Sequence, residues 1–129
     1  MAEAGRARIL VVDDAGLVRL YYRQALEAVG FAVEEALNGV EALEKLLRAP
    51  ADLVIVDVNM PLMDGITFLR ALRRQPLPLA ALPALVTSTE AGAGDVAAAR
   101  AAGANLYLVK PLEPAALVLH ARLLCGVPA

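Results

Sequence analysis

The stretch Leu53-Val54-Ile55-Val56-Asp57-Val58-Asn59-Met60-Pro61-Leu62-Met63-Asp64-Gly65 decides how this chain is read. Its first four residues are apolar without alternation, so a strand made of them needs cover on both faces, as a central strand of a parallel sheet does. The run then ends in Asp57. That places a carboxylate at the C-terminal end of the strand, where open α/β sheets bind their ligands. Three other segments are built the same way. Ile9-Leu10-Val11-Val12 runs into Asp13-Asp14, the segment from Leu82 ends in Thr87-Ser88-Thr89, and Leu106-Tyr107-Leu108-Val109 ends in Lys110-Pro111. Acids, a hydroxyl and a lysine at successive strand ends make a candidate site.

Working outward, the segments between these strands read as helices. Val18, Tyr22, Ala25, Leu26 and Val29 recur at helical spacing, with Asp14 as a cap and Gly30 as a stop. Phe31 to Ala36 has the mixed polarity of a strand near a sheet edge. Asn38-Gly39 opens a second helix, with Val40, Leu43, Leu46 and Leu47 predicted to face inward and Ala49-Pro50 closing it. Asp64-Gly65 is a turn that starts a third helix. Ile66, Leu69 and Leu72 are predicted to point in, and Arg70, Arg73 and Arg74 out. A proline-punctuated connection, Pro76 to Pro83, precedes the fourth strand. An alanine-rich helix from about Gly94 stops at Gly103, and the last helix starts near Glu113 with Pro114 in its first turn. Five strand–helix units in strict alternation, with right-handed crossovers, give a doubly wound α/β domain with a parallel sheet covered on both sides.

Composition is consistent with this. The 129 residues suit a single domain, 1–129 with its core at about 8–124, and 59% hydrophobic residues are enough for a buried core. A formal charge of -2 gives no reason to expect direct nucleic-acid binding. The single cysteine, Cys125, excludes an internal disulfide framework and fits a reducing, cytoplasmic setting. Met1 to Ala7 reads as a frayed leader, Gly126 to Ala129 as a linker stub, and no segment reads as a secretory signal or a membrane span.

The strand ends carry the chemistry. Asp13, Asp14 and Asp57 are predicted to converge at one edge of the sheet. Carboxylates ~5 Å apart repel by roughly 3 kcal/mol per pair at an effective dielectric near 20. A hard divalent cation with oxygen ligands offsets that, and Mg²⁺ takes one or two carboxylates, waters and phosphoryl oxygens. The backbone carbonyl of Asn59 is a further candidate ligand. Asp57, alone at the end of the central strand, is the candidate nucleophile toward a phosphoryl group. Lys110 can place a positive charge on the product oxygens, and Thr87 can donate a hydroxyl hydrogen bond.

These residues resemble those of receiver domains of two-component response regulators. The resemblance is carried by Val11-Val12-Asp13-Asp14, Asn38-Gly39-Val40-Glu41-Ala42-Leu43, Asp57 through Gly65, Thr87, and Gly103-Ala104 leading into Tyr107-Leu108-Val109-Lys110-Pro111. It spans about Arg8 to Leu124. It implies a flavodoxin-like fold with strand order 2-1-3-4-5, and Asp57 as acceptor of a phosphoryl group from a sensor histidine kinase or phosphotransfer protein. It also implies Mg²⁺ held by Asp13 and Asp14, phosphoryl contacts from Thr87 and Lys110, and a cis Lys110-Pro111 peptide. Thr87 and Tyr107 become a coupled switch pair. Ser88 stands where the family usually has alanine.

The last helix has few polar positions between Ala115 and Leu124. A face made of helix four, strand five and helix five, with Tyr107, Leu117, Val118 and His120, is therefore predicted to bind a downstream target protein or a second copy of the chain. Two other functions are weighed against this non-enzymatic switch. A Mg²⁺-dependent phosphatase working through an aspartyl phosphate needs an acid–base group two residues after the nucleophile, and Asn59 cannot serve. A phosphorylation-independent binding module leaves the complete Asp13, Asp14, Asp57, Thr87 and Lys110 set without a purpose. A nucleotide-binding domain is disfavoured because no glycine-rich loop follows the first strand.

Overall fold

The structure, a computed structural model, describes residues 6–127. Most of the predicted leader and the last two residues of the predicted linker stub lie outside that range. In chain order the elements are β1 (Arg8–Val12), α1 (Gly16–Glu27), β2 (Ala32–Ala36), α2 (Gly39–Arg48), β3 (Leu53–Asp57), α3 (Gly65–Arg73), β4 (Ala84–Ser88), α4 (Ala93–Ala102), β5 (Leu106–Val109) and α5 (Pro114–Cys125). A short 3-10 turn, Leu79–Ala81, interrupts the proline-rich connection. All neighbouring strands pair in parallel, in the order β2-β1-β3-β4-β5. β3 is buried throughout, as its unbroken apolar run requires.

The sheet separates two cores. On one face Leu10, Val12, Val54, Val56, Ala84 and Val86 meet α2, α3 and α4 through Ala42, Leu46, Phe68, Leu69, Leu72, Ala99 and Ala102. On the other face Ile9, Val11, Leu53, Ile55 and Leu85 meet α1 and α5 through Tyr22, Leu26, Leu117 and Ala121. Side chains alternate along a strand, so each strand feeds both cores in turn. Fully burying a ring such as that of Phe68 contributes about 2–3 kcal/mol relative to exposure.

Several helix faces differ from the sequence reading. In α2 the inner positions are Gly39, Ala42 and Leu46 with Leu43 beside them, while Val40 and Leu47 face solvent. The spacing was right but the helix is rotated about its axis: Ala42 is small enough to lie in the core against the sheet, and Gly39 packs on the Met63 side chain, where a Cβ would overlap it. In α3 the largest inner side chain is Phe68. Arg73 does not point outward. Its guanidinium donates to the carbonyls of Gly103 (2.6 and 3.1 Å), Leu82 (2.7 Å) and Ala80 (3.0 Å) and to the Asn105 side chain (3.1 Å). It ties α3 to the loops before β4 and β5. Val29 is exposed, beyond the end of α1. Asp14 does not cap α1, whose N-cap is Ala15, without a side-chain hydrogen bond. The Asp13 carboxylate accepts from the Ala15 amide instead, at 2.9 Å. Leu117 is a correction to the predicted interface: it is fully buried between α5 and the sheet and is not available to a partner.

Candidate functional site

Strand alternation assembles the site. Ile9 and Val11 face the α1/α5 core, so Asp13, two residues on, falls on the same side. The same period carries Leu53 and Ile55 to Asp57, Leu85 to Thr87, and Leu106 and Leu108 to Lys110. The ladder extends one step past the strands through the Asp13 amide on the Ala36 carbonyl and the Lys110 amide on the Ser88 carbonyl. Asp57 and Thr87 are register partners.

The predicted convergence is present. Asp13, Asp14 and Asp57 each offer a carboxylate oxygen, all within 4.8 Å of one another. Asp13 and Asp57 are buried and Asp14 is exposed, so the group has a closed floor and an open mouth. Lys110 Nζ donates to Asp13 Oδ2 at 2.8 Å and lies 3.2 Å from Asp57 Oδ1. One part-buried cation therefore serves two buried acids, which offsets only part of their desolvation. Burial is the largest influence on Asp57 and raises its pKa. Lys110 pulls the other way and does not prevail, with Asp13 and Asp14 adding repulsion. Burial lowers the Lys110 pKa, but the Asp13 and Asp57 carboxylates outweigh it and leave the amine raised. A residual negative excess in a hard-oxygen donor set fits a small divalent cation. Asp13, Asp14, Asp57 and the exposed Asn59 are the residues that would hold it, and such an ion would neutralise charge around a phosphoryl group. The Lys110-Pro111 peptide is cis.

The surrounding loops fix these groups. Asp64 Oδ1 caps α3 by accepting from the Thr67 amide at 2.8 Å, as its place before Gly65 suggested. Gly65 packs so closely that a Cβ there would overlap the Asp57 carbonyl oxygen and lie 3.0 Å from the Val58 Cα. Leu62, exposed in the same loop, has a φ of 68°. Arg19 donates to the Asp13 carbonyl at 2.6 Å and to Glu35 Oε1 at 2.8 Å. Burial works against the Glu35 charge, but Arg19 and Arg23 outweigh it and hold its pKa down.

Thr87 is fully buried, and its Oγ1 has no hydrogen-bond partner. Tyr107 pairs in register with Val86 and packs against the opposite core, and its hydroxyl donates to the Glu90 carbonyl at 2.6 Å. The buried tyrosine on Thr87's side of the sheet is Tyr22. It is 3% exposed, and burial pushes its pKa up to about 12. Lys110, Asp13, Thr87 and Asp57 also act on its hydroxyl. The sequence reading counted Tyr22 only as an inward helix position. The signal that could have found it is a phenol standing at a position that Val18 and Leu26 fill with aliphatic side chains.

Comparisons with known proteins agree with this geometry. Residues 9–122 match the family model described as the response regulator receiver domain. The chain is 37% identical over 117 residues to the transcriptional regulatory protein PrrA of Mycobacterium leprae, covering 91% of this chain and 49% of that protein. It is 35% identical over 124 residues to ResD of Bacillus subtilis, covering 96% of this chain and 50% of that protein. Among solved structures, the Vibrio cholerae chemotaxis protein CheY4 superposes with a TM-score of 0.87 at 36% identity, covering 93% of this chain and 99% of that one. This chain belongs to the response regulator receiver domain family. It spans about half the length of the curated relatives PrrA and ResD. Among the described residues, no helix is long and apolar enough to cross a membrane.

Proposed function

We propose that the chain is a phosphorylation-activated switch in which Asp57 accepts a phosphoryl group from a sensor histidine kinase or phosphotransfer protein. A carboxylate oxygen of Asp57 attacks phosphorus as the bond to the donor breaks, and an acyl phosphate forms. Asp13, Asp14, Asp57 and the Asn59 carbonyl hold Mg²⁺. Lys110, already between two of the acids, follows the charge onto the new phosphoryl oxygens, and Thr87 donates its free hydroxyl to one of them. The observation that carries this reading is the three carboxylates within 4.8 Å with Lys110 shared between Asp13 and Asp57.

The output is protein–protein contact through α4, β5 and α5, with a downstream target or a second copy of the chain. Val109, Leu119 and Leu123 are exposed there, with Val118 and His120 half-buried beside them. Tyr107, fixed to the Glu90 carbonyl, makes the β4–α4 loop part of that output surface, so a move of Thr87 and its loop carries the ring with it. The switch works in the cytoplasm and is not a metabolic enzyme. A phosphatase is disfavoured because Asn59 offers no carboxyl for proton transfer.

Intact mass after incubation with Mg²⁺ and acetyl phosphate tests this, on the unaltered chain and on Asp57→Asn. The expected result is a Mg²⁺-dependent gain of one phosphoryl group that the variant lacks. Absence of any adduct in a chain shown to bind Mg²⁺ overturns the proposal and favours a phosphorylation-independent module.

A further inference from the structure

A hydroxyl group has one proton to donate and two lone pairs to fill. When Thr87 gives its proton to a phosphoryl oxygen on Asp57, the lone pairs of Oγ1 stay in a fully buried place where the resting structure supplies no partner. A buried polar atom left unpaired is costly, and the bond it makes on its other side is weaker for it. The candidates to supply a donor are few. Lys110 is committed to Asp13 and Asp57. Of the three tyrosines, Tyr21 donates to the Leu112 carbonyl and Tyr107 to the Glu90 carbonyl, the latter on the opposite face of the sheet.

Tyr22 remains. It lies in the same core as Leu85 and Leu112, on the side of the sheet where alternation places Thr87. It shares a cavity with Lys110 and Pro111. Thr87 is near enough to act on its hydroxyl, and in the resting state Thr87 Oγ1 has no partner at ordinary hydrogen-bond distance and angle. We infer that Tyr22 is a positioning residue of the phosphoryl site: its O–H donates to Thr87 Oγ1 as Thr87 donates to the group on Asp57. The phenol keeps its proton at neutral pH, so it can act only in this direction toward Thr87 while Thr87 donates. The two bonds form in series, and each polarises the other. The phosphoryl group is then sensed by α1 as well as by the β4–α4 loop.

This inference rests on Asp57 being the phosphoacceptor, and the test separates the two. Binding of beryllofluoride, a phosphoryl mimic, is titrated by calorimetry with Mg²⁺ present. The proteins are the unaltered chain, Tyr22→Phe, Thr87→Val, the double variant and Asp57→Asn. Tyr22→Phe is expected to weaken beryllofluoride binding about three- to tenfold, the range of one net hydrogen bond. It is expected to leave Mg²⁺ affinity without beryllofluoride unchanged. In the Thr87→Val background the same substitution is expected to have no further effect. Unchanged beryllofluoride affinity in Tyr22→Phe overturns the relay. So does an equal loss in both backgrounds, or a parallel loss of Mg²⁺ affinity, since a merely structural phenol gives those results. If the unaltered chain binds no beryllofluoride, or Asp57→Asn binds it equally well, the site assignment fails and the relay with it.

Discussion

Replacing Gly65 with alanine tests how the acceptor strand is held. Gly65 is the first residue of α3, and its φ is outside the left-handed region that Gly30, Gly103 and Gly126 occupy. The backbone there accepts any L-residue, and the cost of alanine is contact alone. The added methyl group would overlap the Asp57 carbonyl oxygen and crowd Val58 Cα and the Asp57 carbonyl carbon, at 3.0 and 3.1 Å. All three are backbone atoms, so no side-chain rotation relieves the overlap. Relief requires α3 and the end of β3 to separate by about 1 Å to restore ordinary carbon–oxygen distances. Overpacking of this kind costs about 1–3 kcal/mol. Alanine recovers at most about 1 kcal/mol through its better helix propensity. A net loss of about 1–2 kcal/mol is expected in urea unfolding. The displaced atoms belong to Asp57 itself, so Mg²⁺ affinity should fall about tenfold or more, in proportion to the disturbed convergence of the three acids. The assay is a urea midpoint with and without Mg²⁺, together with a Mg²⁺ titration. A Gly65→Ala protein with unchanged midpoint and unchanged Mg²⁺ affinity would refute the close-approach reasoning.

Two further outcomes follow from the charges. Burial raises the pKa of Asp57, so without Mg²⁺ its charged form opposes folding. The folded state holds the proton more tightly than the unfolded chain. Stability linked to that proton is complete below the unfolded carboxylate range and is lost as pH rises through the folded value. Asp57→Asn should therefore raise the metal-free urea midpoint at pH 7, with the gain shrinking as pH falls toward 4; a gain that is independent of pH counts against the assignment. Arg73→Met strands three backbone carbonyls and leaves the Asn105 side-chain oxygen with the Ala84 amide as its donor, and should cost about 2–4 kcal/mol by the same unfolding assay, with Mg²⁺ affinity retained because the residue lies far from the acids in the fold.

How much of this could be read from sequence depended on the physics behind each signal. The strands and their terminal side chains were legible because an unbroken apolar run followed by an acid has few structural uses other than a central parallel strand ending at a site. The Asp64 cap was legible because capping is local, a matter of three residues. Helix rotation was not. Val40 and Leu47 satisfied the apolar period as well as Ala42 did, and only the room above the sheet decided which of them turned in. Arg73 was read as outward because charges usually are. Its role depends on carbonyls contributed by three separate loop positions, none of which announces itself in the chain. Leu117 was assigned to an interface because α5 is apolar nearly all round, which leaves the buried side undetermined. Tyr22 was missed for a different reason: an aromatic at helical spacing counts as core, and its hydroxyl matters only once Thr87 is seen to lack a partner.

The strand alternation that builds the site also makes it a parity check on the fold. Asp13, Asp57, Thr87 and Lys110 arrive from four strands, and each stands an even number of residues after side chains that point into the α1/α5 core. A slip of one residue in any of those strands would send its functional group to the wrong side of the sheet and exchange the two cores' side chains at every position. Such a chain would not be a weakened receiver. It would lack one of the four groups outright, so phosphoacceptance reports on strand register in an all-or-none way, and a population of misregistered molecules would be silent in signalling rather than noisy.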